Sequence, residues 1–262
     1  MVLIYTIKQE GQMNILLTND DGIDAAGITA LFRILAEKHS VFMVAPMGEK
    51  SACSNAITIK REIPVKKKGD GVYAVDGYTA DCVNIGLNGE LIPGIDLVIS
   101  GINHGPNLGE DVYFSGTVAG ARSAYIFGVS GIAISVDSLG SSDFFEDAAG
   151  FLMDYIGDFP LFAHERPLFL NINYPDIPAD EITGVQYTTL GRREYRDSYR
   201  RDGNEEGDFS MVMDGIINSH EIEGSDVTEL RNGYISITPL TLDSTDYTYL
   251  EHIPHRAKQW LK

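Results

Sequence analysis

Met13-Asn14-Ile15-Leu16-Leu17-Thr18-Asn19-Asp20-Asp21-Gly22 is an apolar run closed by two adjacent carboxylates and a glycine. The aliphatic run reads as a buried strand. Residues 27–38 follow with Ile28, Leu31, Phe32 and Leu35 at helical spacing on one face. Asp20 and Asp21 therefore fall where the chain has left a strand and not yet entered a helix. In an open α/β sheet, that corner faces the crevice at the carboxyl ends of the strands, where ligands bind. Two like charges held side by side repel each other, and a cation joining them removes the conflict. Taken alone, Asn19-Asp20-Asp21-Gly22 is also a good turn, because short polar side chains bond their own backbone and glycine accepts positive φ. The case for chemistry has to come from the rest of the chain.

Working outward, Val41-Phe42-Met43-Val44-Ala45 is a second compact run stopped by Pro46, with a polar loop over residues 47–55 behind it. Residues 57–65 alternate in part, and Lys66-Lys67-Lys68-Gly69-Asp70-Gly71 then leads into Val72-Tyr73-Ala74-Val75. This pattern predicts a β-hairpin with a charged, solvated tip. Residues 79–88 have helical spacing, with Thr79 as the expected N-cap. Further strands are expected at 95–100, 131–136 and 168–172, with helices at about 117–127 and 144–156. Strands alternating with helices predict an α/β fold: a Rossmann-like, doubly wound, mostly parallel sheet. Beyond Pro175 the character changes. Residues 191–208 are dense in Arg, Glu, Asp and Tyr and cannot form a core by themselves. Bracketed by strand-like stretches at 185–190 and 234–239, they read as a projecting C-terminal β-hairpin or arm that meets another subunit. The expected organisation is an N-terminal extension over 1–12, a Rossmann-like catalytic core over 13–175, and a C-terminal arm region over 176–262 within the same domain.

The formal net charge of −18 repels duplex nucleic acid and anionic membranes at long range. An anionic substrate would therefore need local positive charge from a metal, from backbone N–H groups or from a helix N-terminus. Cys53 and Cys82 have no zinc-type spacing and form no disulfide framework, which fits a reducing compartment. No stretch reaches the length of a transmembrane helix, and the N-terminus lacks the pattern of a signal peptide, so the expected location is cytoplasmic.

Three further loops open on the same edge of the sheet as Asp20 and Asp21. Gly48-Glu49-Lys50-Ser51-Ala52-Cys53-Ser54-Asn55 brings hydroxyls and an amide to it. Ser100-Gly101-Ile102-Asn103-His104-Gly105-Pro106-Asn107 brings amides and an imidazole. Asp20, Asp21, Ser51 and Asn103 then make an all-oxygen ligand set, suited to a hard divalent cation such as Mg²⁺ or Mn²⁺ rather than zinc or copper. Ser115-Gly116-Thr117 precedes a helix, and small residues there let an anion approach free backbone N–H groups. Plain N-capping by Ser115 or Thr117 explains those residues equally well in isolation. A metal site and an anion site on one crevice edge together describe phosphate chemistry. Asp20, Asp21 and Asn103 are the candidate catalytic residues. Ser54, Asn55, Asn107, Ser115, Gly116 and Thr117 are the candidate substrate contacts.

In these segments the chain resembles the SurE family of survival-protein-E nucleotidases. The likeness rests on residues 15–23, on Val44-Ala45-Pro46 leading to Ser51, and on Tyr73-Ala74-Val75-Asp76-Gly77 with Ala80-Asp81-Cys82-Val83-Asn84. It is strongest over residues 96–119, and Leu190-Gly191-Arg192-Arg193 and residues 233–240 extend it. Ala52 stands where many members have glycine, and Tyr78-Thr79 replaces a common threonine-proline pair. The resemblance implies a phosphatase of nucleoside 5′-monophosphates, with 3′-monophosphates as a second class, and a divalent metal on Asp20, Asp21, Ser51 and Asn103. It also implies a cytoplasmic homodimer or tetramer with exchanged C-terminal segments. A sensor that keeps the pocket and binds nucleotide without turnover is the alternative from another functional class.

Overall fold

The computed structural model describes residues 11–138, 142–158, 166–203 and 208–252. The expected N-terminal extension lies almost wholly outside the described residues. Among the described residues, eleven strands and six α-helices follow one another along the chain. The first apolar run is β1 (Asn14–Thr18), and it is followed by α1 (Ala26–Leu35) and β2 (Ser40–Pro46). Next come β3 (Val65–Gly69), β4 (Val72–Val75), α2 (Thr79–Asn88), β5 (Leu97–His104) and α3 (Gly116–Ile126). The chain continues through β6 (Ser130–Val136), α4 (Phe145–Asp158), β7 (Phe169–Tyr174) and β8 (Gly184–Tyr187). It closes with β9 (Arg192–Gly203), β10 (Phe209–His220), α5 (Asp226–Arg231), β11 (Tyr234–Pro239) and α6 (Tyr247–His252).

The main sheet has nine strands in the order β3-β4-β2-β1-β5-β6-β7-β11-β8. From β4 to β7 every neighbour is parallel; β3 runs antiparallel to β4, and β11 runs antiparallel to β7 but parallel to β8. Strand order reverses at β1, because β2 lies on one side of it and β5 on the other. This topological switch is where an open α/β sheet leaves a crevice at its carboxyl edge. β6 and β7 are buried along their whole length, as expected of strands covered on both faces. One face packs Ile28, Leu31 and Leu35 of α1 with Ala148, Leu152 and Ile156 of α4. Cys82 and Val83 of α2 and Ala124 of α3 line the other. Among the described residues, no helix is long and apolar enough to cross a membrane.

Three sequence expectations change in detail. Residues 57–64 form no strand: Ile57 and Ile59 are exposed, Lys60 takes φ 58°, and Thr58 is tied to the Asp81 carboxylate through its N–H and hydroxyl. The lysines lie along β3 rather than at the hairpin tip, and exposed lysines on an edge strand discourage pairing with another chain. The N-cap of α2 is Tyr78, whose N–H is held by the Asp81 carboxylate at 2.9 Å. Thr79 is already helical and donates its hydroxyl to the Asn19 carbonyl at 3.0 Å.

β9 and β10 form the expected hairpin, pairing antiparallel from Arg192 opposite His220 to Gly203 opposite Phe209. It forms its own two-stranded sheet, separate from the main one. The flanking strands β8 and β11 join the main sheet, and the hairpin lies outside it.

Candidate functional site

Asn19, Asp20 and Asp21 leave β1 at the switch point, and the turn reading and the ligand reading divide among them. Asn19 makes the turn: its Oδ1 accepts from Gly22 N–H at 3.2 Å and its Nδ2 donates to the Gly22 carbonyl at 2.8 Å. That leaves both aspartate carboxylates free of the turn. Asp20 is buried, accepts the Thr117 hydroxyl in a short hydrogen bond and accepts Thr117 N–H as well. Burial pushes its carboxyl up to about 6, with the Asp21 charge adding and the Thr117 bonds opposing. Burial also raises Asp21, while the His104 imidazole and the His104 N–H pull it down. Asp21 Oδ2 is buried with no hydrogen-bond partner.

Asn103 arrives at the end of β5, where the ladder to β6 shifts register between Ser100 and Asn103. Gly101 takes φ 142° there, and a Cβ would sit 2.2 Å from the Ile134 carbonyl, so the position requires glycine. Asn103 Nδ2 is committed to the His104 and Gly105 carbonyls at 3.0 and 2.8 Å, so its oxygen is the atom left to serve a ligand. Ser51 comes from the loop after β2, which the Lys50 N–H ties to the Asp20 carbonyl. Ser51 Oγ donates to Glu49 at 3.0 Å and remains exposed. The following residue, Ala52, has φ 55°, a left-handed conformation that glycine adopts without strain.

Ser115 caps α3, its Oγ accepting from Val118 N–H at 3.0 Å. The N-terminus of α3 therefore holds a carboxylate already: Thr117 gives both its hydroxyl and its N–H to Asp20. Gly116 is what allows the approach, since a Cβ there would lie 2.7 Å from Asp20 Oδ2. Asp20, Ser51, Asn103, His104, Asn107 and Ser115 line one cavity of about 330 Å³, at the small end of ligand pockets. Asn107 donates its amide to Ser135 Oγ at 2.9 Å, and Asn171 and Asn173 donate to its carbonyl. Ser54 and Asn55 are not brought to that lining. Ser54 spends its hydroxyl on the Tyr113 carbonyl at 2.6 Å and its N–H on the Phe114 carbonyl at 2.9 Å. Asn55 Oδ1 is buried without a partner.

Residues that the sequence did not single out complete the cavity wall. Asp111, Phe114, Arg193, Tyr195 and Ile217 also line it, the last three from the root of the hairpin. The Asp111 carboxylate accepts from Leu108 N–H at 3.1 Å and, in short bonds, from Arg193 Nη1 and the Tyr195 hydroxyl. Glu110 accepts the Arg193 N–H at 2.6 Å. Fully buried Asp226 accepts from Gly109, Gly191 and Val227 N–H at 3.0, 2.6 and 2.8 Å, joining the loop before α3 to the start of the hairpin. The signal that could have found Arg193 is its place in Leu190-Gly191-Arg192-Arg193, a matching segment far from the other site loops.

The residues at the corner fit a hard divalent cation. Among the described residues no group of three or more His, Cys, Asp or Glu side chains is placed to hold a metal. Two adjacent carboxylates, one with an orphaned buried oxygen, together with an amide oxygen and a hydroxyl, match the chemistry of an ion that keeps several of its waters.

The profile of the family described as Survival protein SurE matches residues 15–197. The chain belongs to the SurE family. It is 40% identical over 242 residues to "5'-nucleotidase SurE" of Leptospira interrogans serogroup Icterohaemorrhagiae serovar copenhageni, covering 92% of this chain and 96% of the relative. The protein of that name from Marinomonas sp. is 39% identical over 236 residues, covering 90% and 94%. The crystal structure of the SurE protein from Aquifex aeolicus superposes with a TM-score of 0.79 at 35% identity, covering 92% of this chain and 98% of that one. The doubly wound fold and the family resemblance read from the sequence are thus both borne out.

Proposed function

We propose that this SurE chain is a metal-dependent phosphomonoesterase that hydrolyses nucleoside 5′-monophosphates, with 3′-monophosphates as a second substrate class, to nucleoside and phosphate. The observation that carries this is the pair Asp20 and Asp21 at the switch point, where Asp20 lies beside the N-terminus of α3 and lines a small cavity. The activity in the names of its relatives, matched over nearly their whole length, supports the reading. Asp20, Asp21, Ser51 and Asn103 would hold Mg²⁺ or Mn²⁺. Bound there, such an ion would polarise a phosphoryl oxygen and acidify a bound water.

The chain's own residues do the rest. Thr117 fixes Asp20 in one orientation through two hydrogen bonds. Asp21, with one oxygen unpartnered, orients the attacking water or takes its proton. Gly116 keeps backbone and carboxylate in contact, and Asn103 turns its oxygen to the ligand by giving its nitrogen to two carbonyls. Assembly as a homodimer or tetramer through the hairpin, in the cytoplasm, belongs to the same proposal. It is supported by the exposed Met211, Met213, Ile216 and Ile217 on β10.

Phosphate release from 5′- and 3′-nucleoside monophosphates, assayed with Mg²⁺, with Mn²⁺ and with a chelator, tests the reading. Metal-dependent release is expected. Nucleotide binding without release under any of these conditions would contradict it and leave the sensor.

A further inference from the structure

The cavity that takes an anionic substrate is itself acidic. Asp20 and Asp111 line it, Asp21 adjoins it, and the whole chain carries a net charge of −18. At the N-terminus of α3 the Thr117 hydroxyl is already given to Asp20 and the Val118 N–H to the Ser115 cap. Of the described residues lining the cavity, Arg193 is the permanent cation. It comes from the first residues of the hairpin, and its side chain is only 16% exposed.

Its setting is unlike that of a surface arginine. Asp111, itself only 10% exposed, takes Nη1, and the same carboxylate is pinned from other directions by Tyr195 and by Leu108 N–H. Glu110 fixes the backbone of Arg193. The Nε–H is buried and has no hydrogen-bond partner. A buried, unpaired donor on a charged group costs free energy unless something accepts from it. A planar guanidinium with part of its donor fork held and part unused is suited to a phosphoryl group, whose oxygens accept in the same fork geometry.

We propose that Arg193, held in place by Asp111, is a substrate-binding residue that takes the phosphoryl group of the substrate and so joins the hairpin root to the reaction site. The inference rests on the phosphomonoesterase reading for the identity of the anion. It goes beyond that reading by assigning the counter-charge to a residue of the arm. It also gives the Asp111 contact a second use: besides fastening the hairpin, it sets the direction of the remaining N–H groups.

The test is to titrate wild type, Arg193→Gln and Arg193→Lys with inorganic phosphate and separately with adenosine, and to measure the KM for AMP with Mg²⁺ and with Mn²⁺. Arg193→Gln should weaken phosphate binding and raise the KM for AMP by about tenfold or more, the scale of a lost charge-assisted bond. Adenosine affinity should stay within about twofold, because a neutral ligand does not use the charge. Arg193→Lys keeps a cation beside Asp111 and should fall between, so it carries the test if the Gln variant does not fold. Unchanged phosphate affinity in both variants overturns the inference, as does an equal loss for phosphate and adenosine, which would mark a purely structural role. Wild type that hydrolyses AMP while Arg193→Gln binds phosphate normally sinks this inference and leaves the phosphomonoesterase reading standing. Wild type that binds phosphate through Arg193 but releases none from AMP does the reverse.

Discussion

The nine-stranded sheet and the two-stranded hairpin are both β-structure, and almost nothing else about them is alike. β1, β5, β6 and β7 are buried between helices, and their side chains account for much of the core. β9 and β10 are as long as any strand in the protein, yet they pack against little, and Tyr199, Met211, Met213 and Ile216 stand in solvent. The sheet is held by apolar burial along its length, whereas the hairpin is held by its own ladder and by polar bonds at one end. Asp226, Glu110 and Asp111 supply those bonds. The difference teaches where each part can be altered without affecting the other. The crevice belongs to the sheet, the projecting length of the hairpin is separable from it, and the hairpin root serves both.

The crevice is most sensitive at Gly116. Ala at this position places a Cβ against the Asp20 carboxylate, and a displacement of about 1 Å in a catalytic group costs about 100-fold in rate. Phosphate release by Gly116→Ala should therefore fall by that order while the hairpin stays intact. Activity close to wild type would show that the contact between α3 and Asp20 is not part of the site. Next in size is Asp226→Ala, which strands three N–H donors at the root at about 1 kcal/mol or more each. Denaturant unfolding should show a loss of about 3 kcal/mol. A loss below about 1 kcal/mol would mean that the root does not depend on this residue.

Cutting the hairpin beyond its root should do much less to the fold. Replacing residues 199–213 with a two-residue Asn-Gly turn joins Ser198 to Asp214, which already face each other. Phosphate release per site should stay within a few-fold of wild type, and the mass in solution should drop to that of a smaller assembly. An unfolded product would show that the projecting strands support the sheet after all.

The smallest effect lies at the opposite edge of the sheet from the crevice, at His39. Its Nδ1 accepts the Met13 N–H, and burial, with a smaller push from the Lys38 charge, lowers its pKa from the ordinary 6.5. The neutral form is thus favoured in the fold. The unfolded chain takes up the proton first, so stability is full above pH 6.5 and declines as pH falls toward the folded value. His39→Gln should flatten that part of the stability profile by less than about 1 kcal/mol and leave activity unchanged. An altered pH profile of phosphate release would contradict the separation of the two edges.

Much of the sheet was legible because buried parallel strands are short apolar runs, and the helices between them carry a single apolar face. The corner residues were legible for the same reason: Asp20, Asp21 and Asn103 follow directly from strand ends. What could not be read was which polar atom answers which. Thr117 and Ser115 both looked like caps, but only Ser115 caps α3, and the partner of Thr117 lies on the turn after β1, far away in sequence. Thr79 looked like a cap because Ser, Thr, Asn and Asp favour that position, yet Asp81 three residues after Tyr78 does the work. Arg193 sat in a charge-dense stretch that read as a projecting arm meeting another subunit, not as part of the site. Its role depends on Asp111, to which no local spacing connects it. The lysine run was placed at a turn because charge suggested exposure, and an edge strand is also exposed.

If Asp21 and its neighbours hold a divalent cation that the hydrolysis needs, metal binding and turnover are lost together. The most direct measurement follows phosphate release from AMP across a titration of Mg²⁺ and of Mn²⁺ for wild type and Asp21→Asn, alongside the metal affinity of each protein. Release should saturate with metal in wild type, be abolished by chelator, and be lost in Asp21→Asn together with metal binding. Release that persists in chelator, or an Asp21→Asn enzyme with wild-type rate and affinity, would contradict it.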